Sequence, residues 1–341
     1  MLLKMMNLNI NISSDDESMK WDTLIDTSSY GTIFHKWEWL KIVEKYSKST
    51  LYPLMVYNGT QIVALCPVYI KNYKSLKMAF SPPSGSYLLY LGPVFINYEN
   101  LKQNKKESLF YEVQKKIDSY LFSDMGCKYV RIRSSPGLYD SRQYKWQDYV
   151  VDPLYTYRID LTKGIKSVWE GFDRKLRVDI NKAKREGVYV EDGDLEDLEF
   201  LLNSLSERFI QQGYSPLDHK KYLQSLYATF HKDHMKIFVA KYKGERVGGM
   251  ISLYYKNILY LWVGIPKSNI PGISANDLVQ WEAIEWAYNN GFEYYEEMDS
   301  GENQRLRYFK SKYNPELCIW YSASKHSSKI YKFAEMVSKI L

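Results

Sequence analysis

One pattern occurs twice in this 341-residue chain. The segments LYPLMVYNGTQIVALCPVYI, from Leu51, and MKIFVAKYKGERVGGMISLYY, from Met235, each read as an apolar strand, a turn and a second strand. The turns fall at Asn58-Gly59 and Lys243-Gly244, where glycine supplies the positive φ that tight hairpins require. After each hairpin the order continues alike, with a strand over Leu88–Phe95 or Ile258–Gly264, then a loop, a helix, a glycine and another strand. The helices are expected over Ser108–Asp124, stopped by Gly126, and over Asn276–Asn290, stopped by Gly291. The strands that follow are CKYVRIRS and FEYYEEMD. Four elements in one shared order, with both turn glycines in place, predict a duplicated α/β unit.

The length suits two cores, since single domains commonly hold roughly 100–200 residues. The expected division is 1–150, 151–323 and a tail over 324–341. Ahead of the second hairpin, Lys166–Glu186 reads as helix, with Trp169, Phe172, Leu176, Ile180 and Ala183 three or four apart and Gly187 at its end. Helices over Asp194–Gln211 and His219–His231 follow. The tail carries Lys325, Lys329, Lys332 and Lys339 beside an Ile330, Phe333, Val337 and Ile340 stripe. It is expected to be an amphipathic helix, packed on its own domain or lying on an anionic membrane as a peripheral contact. The plan is α+β, with a mixed central sheet flanked by helices in each half.

Composition narrows the function classes. Hydrophobic residues at 45% and charged residues at 25% match a water-soluble chain, and no apolar run approaches the ~20 residues of a membrane-spanning helix. The first residues lack an h-region and a cleavage site, so a cytoplasmic location is expected. A net charge of +6 falls short of a DNA-binding stripe but suits an anionic substrate. Cys66, Cys127 and Cys318 are far apart and read as buried thiols. His231 and His234 have no third ligand at zinc-site spacing, so no metal is expected. No G-x-S-x-G elbow or cysteine–histidine pair points to a covalent nucleophile.

Four further segments carry a resemblance: RQYKWQDYVVDPLYTYRIDLTKG from Arg142, FDRKLRVDINKAKREGVYVE from Phe172, LVQWEAIEWAYNNGFEYYEEMDSG from Leu278, and RLRYFKSKYNPELCIWY from Arg305. Together they resemble the FemAB-like peptidyltransferases and the related BioF2-like acetyltransferases of the GNAT superfamily, over about His35 to Tyr321. The resemblance implies tandem GNAT-like domains, the acyl-CoA N-acyltransferase fold, with the donor entering the second half. It implies transfer of an aminoacyl group, from charged tRNA, onto an amine of a cell-envelope precursor or a similar small-molecule, lipid-linked or nucleotide-linked acceptor. Two alternatives stay open: an acyl-CoA-dependent N-acyltransferase acting on an amino sugar or other small amine, and a non-catalytic binding module. No tightly bound cofactor is expected, only the donor.

Amide formation needs a neutral amine to attack a carbonyl and needs the charge on the carbonyl oxygen to be stabilised. The resemblance puts a lysine at the reacting centre, Lys310, beside an aromatic wall, Phe309. Asp299, at a strand end, is positioned to accept a proton or orient Lys310, or else to cap the helix near Asn303. Glu296 and Glu297 point to opposite faces of their strand, so at most one looks into the site. Arg174, Arg177 and Lys184 share roughly one helix face, which meets substrate phosphates or is simply solvated. Tyr155, Trp262 and Arg305 complete the expected acceptor side. For the donor, the acetyltransferase pyrophosphate loop is matched in part by Asn269-x-x-Gly272-x-Ser274, with Val263 and Gly264 at the preceding strand end. In the first half, Arg133 and Ser134 stand where Fem-type enzymes often place an acidic residue.

Overall fold

The computed structural model describes residues 6–73, 76–211, 219–264, 270–299 and 304–328. The chain forms two compact units, Met1–Leu154 with Ile319–Leu341, and Tyr155–Cys318. The chain passes from one unit to the other between Leu154 and Tyr155, and the segment from Ile319 returns to the first unit. Among the described residues, no helix is long and apolar enough to cross a membrane.

In the first unit, β1 (Leu8–Ile12) leads to α1 (Ser18–Thr27) and α2 (Trp37–Ser47). The first expected hairpin follows as β2 (Thr50–Asn58) and β3 (Gln61–Tyr73), closed at Gly59, where φ is 62°. Next come β4 (Leu76–Ser81), β5 (Val94–Phe95), α3 (Gln103–Asp118), β6 (Tyr129–Arg133) and the single turn α4 (Arg142–Lys145). The last strand of this sheet is β13 (Glu316–His326), whose residues Ser322–His326 run antiparallel to β6. The order is β1-β2-β3-β4-β6-β13, with β4 and β6 parallel across the α3 crossover.

In the second unit, β7 (Val150–Asp160) comes first, followed by α5 (Ile165–Gly171), α6 (Arg174–Arg185), β8 (Val188–Asp192), α7 (Leu195–Gln211) and α8 (His219–Phe230). The second hairpin is β9 (Met235–Tyr242) and β10 (Glu245–Tyr255). Then come β11 (Ile258–Gly264), α9 (Ala275–Asn289), β12 (Tyr294–Asp299) and α10 (Gln304–Ser311). The order is β8-β9-β10-β11-β12-β7, with β11 and β12 parallel across α9. The strand order therefore repeats. A bulge repeats too: Val63 in β3 and Val247 in β10, each the third residue after the turn, are skipped by the partner strand. Bulges sharpen local twist, so both hairpins coil over their helices alike.

Each sheet has an apolar face under its crossover helix. Val56, Ala64, Val130 and Ile132 pack on Phe110, Val113 and Ile117 of α3. In the second unit Leu259 and Tyr295 pack with Leu278 and Ile284 of α9, while Trp281 meets Phe172 and Leu176. Full burial of such a side chain contributes about 1.5–3 kcal/mol.

Three expectations need correction. Leu88–Phe95 is not a strand apart from Val94–Phe95; the third strand is β4, and Leu88, Tyr90 and Leu91 are buried in irregular chain after Pro82, Pro83 and Gly85. A short apolar run marks burial, and it cannot by itself separate strand from buried loop. The helix over Lys166–Glu186 is two helices. Asp173 breaks it: its carboxylate accepts from the Lys175 N–H at 2.7 Å, and its own N–H donates to the Lys312 carbonyl at 2.9 Å. Finally, Ser324–His326 are strand, because they complete the β6 ladder; the remainder of the expected tail helix, from residue 329, lies outside the described residues.

Candidate active site

The site lies in the second unit, where β11 and β12 part. Their ladder runs from Ile258 opposite Tyr294 to Tyr260 opposite Glu296. Beyond it, β11 continues beside β10 to Gly264, and β12 continues beside β7 to Asp299. On the β7 side the register slips: Glu296 faces Arg158 and Asp299 faces Thr156, so Glu297 and Met298 oppose Tyr157 alone. Met298 takes a φ of 54°, and its carbonyl accepts from the Thr156 hydroxyl. A non-glycine residue in that region costs energy that surrounding contacts must offset.

The alternation of β12 separates its two glutamates. Glu296 is fully buried and accepts from the Arg158 guanidinium at 2.6 Å. Glu297, on the α9 side with Tyr295, is also fully buried, and its Oε1 accepts from Gln280 of α9 at 2.9 Å. Its Oε2 has no hydrogen-bond partner among the described residues. Burial raises the Glu297 carboxyl to about 8, against the pull of the Lys310 charge and the Gln280 hydrogen bond. Such a group exchanges its proton near neutral pH, as a general acid or base must.

Lys310 is its cationic neighbour. It lies on α10, only 5% exposed, although Arg305, Arg307 and Tyr308 of the same helix face solvent. Its ammonium donates to the Glu297 carbonyl. α10 is pinned by residues just after it: Lys312 reaches Asp277 of α9 at 2.5 Å, and the Tyr313 hydroxyl donates to the same carboxylate at 3.1 Å. Phe309 is half-buried, with the Lys312 ammonium 4.3 Å from its ring centre and Tyr313 edge-on at 6.0 Å. Lys310 thus adjoins the end of β12, while Phe309 packs against Lys312 and Tyr313. The side chain of Asp299, and all of Asn269, lie outside the described residues.

A second cluster surrounds the start of α9. Gly272 has a φ of 71°, and a Cβ there would sit 3.3 Å from the Lys182 ammonium of α6. Ser274 precedes the first turn of α9 without capping it by its side chain, which leaves first-turn N–H groups for another acceptor. Val263 is buried, Gly264 is exposed, and Trp262 is the residue β10 skips in its bulged pairing with β11. Asp277, in the first turn of α9, links this cluster to α10 through Lys312.

The basic face expected on α6 is divided. Lys184 is taken by Glu282 at 2.7 Å and Glu285 at 3.7 Å, both on α9. It is a packing contact, so it leaves the expected phosphate face. Arg177 is half-buried and its Nε has no partner among the described residues, whereas Arg174 is exposed. Tyr155 and Arg305 are also exposed. Sequence reasoning did not choose between Glu296 and Glu297 and did not single out Lys182 or Asp277. One available signal was that Glu297 shares strand parity with Tyr295, so a carboxylate occupies a core-facing position.

Residues 171–310 match the acetyltransferase (GNAT) domain family. A crystal structure of FemX superposes with a TM-score of 0.68 at 12% identity, covering 92% of this chain and 96% of that one. A tandem GNAT protein from the clavulanic acid biosynthesis pathway superposes with a TM-score of 0.58 at 10% identity, covering 94% and 99%. The two units and their repeated strand order are those of a tandem GNAT-fold protein. In sequence, the chain is 28% identical over 153 residues to the UDP-N-acetylmuramoylpentapeptide-lysine N(6)-alanyltransferase of Weissella viridescens. That match spans 43% of this chain and 44% of the relative's length. In sequence and in fold the chain is thus similar to FemAB-like proteins of the GNAT superfamily.

Proposed function

We propose that the chain is an aminoacyltransferase that moves an aminoacyl group from charged tRNA onto an amine of a cell-envelope precursor. The observation that carries this reading is the buried Glu297 carboxyl beside the buried Lys310 ammonium, at the parting of β11 and β12. The acceptor nitrogen attacks the ester carbonyl carbon, and its proton passes to the Glu297 carboxylate. Negative charge collects on the carbonyl oxygen and is steadied by Lys310. When the intermediate collapses, the bond to the ribose oxygen breaks and Glu297 returns the proton to that oxygen. The activity for which the Weissella relative is named supports an alanyl-type donor and a lysine-type amine on a nucleotide-linked acceptor, and a charged-tRNA donor favours a cytoplasmic reaction.

A second reading rests on the Gly272 turn, Lys182 and the start of α9, which suit the pyrophosphate of an acyl-CoA. The two readings separate in one assay of amide formation with charged tRNA or acetyl-CoA as donor. Product from charged tRNA alone supports the first, and product from acetyl-CoA alone replaces it. With the productive donor, Lys310→Ala should lower kcat at least about tenfold, or 1.4 kcal/mol of barrier, in protein shown to remain folded at the assay temperature. Near-normal turnover removes Lys310 from the site.

A further inference from the structure

The first unit holds a basic, aromatic surface that the reaction above does not use. On β6, Val130 and Ile132 face the α3 core, while Tyr129, Arg131 and Arg133 alternate onto the opposite face and are half-buried. The guanidinium of Arg131 lies 5.1 Å from the Phe80 ring centre, and its Nη2 donates to the Ser84 hydroxyl at 2.7 Å. Its Nε is buried with no acceptor among the described residues. Tyr129 continues the surface, 5.9 Å from Phe80 and 4.8 Å from His326, ring to ring.

The second unit shows what is missing here. There the cross-strand pair Glu296–Arg158 joins an arginine to a carboxylate at 2.6 Å. In the first unit the corresponding pair is Arg131 with Ser324, and the next is Arg133 with Ser322. Across the other edge Arg131 meets Phe80. None of these neighbours is acidic, and no ion pair involves Arg131 among the described residues. Stacking on a ring holds a guanidinium flat and leaves its edge donors for two parallel hydrogen bonds to an oxyanion. Arg133, two residues along the same strand face, brings a second guanidinium to within roughly 7 Å along the strand.

We propose that Arg131, seated on Phe80 and held by Ser84, is an oxyanion-binding site of the first unit, taking the phosphate or carboxylate of a ligand. It stands on the first unit's own geometry and not on the transferase reading, so it is tested by binding. The full-length protein is titrated calorimetrically with inorganic pyrophosphate and, separately, with acetyl-alanyl-alanine, whose only charge is a terminal carboxylate. At least one probe should bind saturably, and the stronger one names the source, phosphate or carboxylate. Arg131→Gln should weaken that probe at least about tenfold. Ser84→Ala, on an exposed loop and safe for folding, should weaken it a few-fold by freeing the guanidinium. Lys182→Ala is carried in every protein compared, so that the second unit's own pyrophosphate turn does not contribute, and Lys166→Ala, exposed on α5, should leave binding unchanged. Absence of binding by both probes, or equal affinity in the Lys182→Ala parent, Arg131→Gln and Ser84→Ala, overturns the assignment.

Discussion

The two units share a strand order, a bulged hairpin and a crossover helix, and they differ at the helix-facing position near the end of the strand after that helix. In β6 it is Ile132, packed among Val113, Ile117 and Val130. In β12 it is Glu297, which has Gln280 of α9 on one carboxylate oxygen and Lys310 nearby. The first choice stabilises its unit by burying a side chain. The second gives up that gain and adds the desolvation of a carboxyl group, a cost that a fold bears for chemistry. The comparison teaches where, within a repeated architecture, the repeat breaks the hydrophobic rule, and the proposed activity is assigned to that position.

Exchanging the two positions tests this. Ile132→Glu places a carboxyl among apolar neighbours with no lysine to compensate it, and should destabilise the protein by about 3–5 kcal/mol, read from urea unfolding. A loss below 1 kcal/mol would mean that the first unit also tolerates charge there. Glu297→Gln keeps the shape and an acceptor for Gln280 but removes the base; kcat should fall at least about 100-fold, near 2.7 kcal/mol. The wild-type rate should rise with pH through about 8 as the carboxyl ionises, and the variant should lose that limb.

Stability should respond to the same group. Its folded value, about 8, lies above the roughly 4.3 of a free glutamate. Between those values the folded chain keeps a proton that the unfolded chain has released. Its contribution is therefore complete below about pH 4.3 and is lost as pH climbs through 8, by up to about 1.4 kcal/mol per pH unit. Glu297→Gln should flatten this slope in unfolding followed from pH 5 to 8, and an equal slope in both proteins refutes the assignment. The smallest effect concerns Asp277. Asp277→Asn should cost roughly 1 kcal/mol, since Lys312 is partly solvated, and should lower kcat a few-fold by loosening α10. A change in Tm without a change in kcat would make Asp277 purely structural.

Much of this was legible in the sequence, for physical reasons that differ by region. The second hairpin is specified locally: Lys243 and Gly244 both take positive φ, at 52° and 83°, and apolar runs flank them. α9 and β12 are likewise marked by Gly291. Leu88–Phe95 misled because Leu88, Tyr90 and Leu91 are as buried as strand residues, and the period of a short apolar run carries no record of backbone pairing. Ser324–His326 become strand through pairing with a segment nearly 200 residues earlier, which no local window contains. For the site, the resemblance reached Lys310 and Phe309. Between Glu296 and Glu297 the sequence offered only the parity of Glu297 with Tyr295; both are buried, and their partners, Arg158 for one and Gln280 with Lys310 for the other, tell them apart.

The placement of β13 has a consequence for biosynthesis. The first unit has β4 on one side of β6 but lacks the neighbour on its other side until the ribosome has passed His326, whereas the second unit has β7 in hand before any of its other strands is made. Domains ordinarily mature from the N-terminus during translation. Here the later-encoded unit can finish first, and the earlier one waits with an unpaired strand edge exposed to whatever in the cell can cap it.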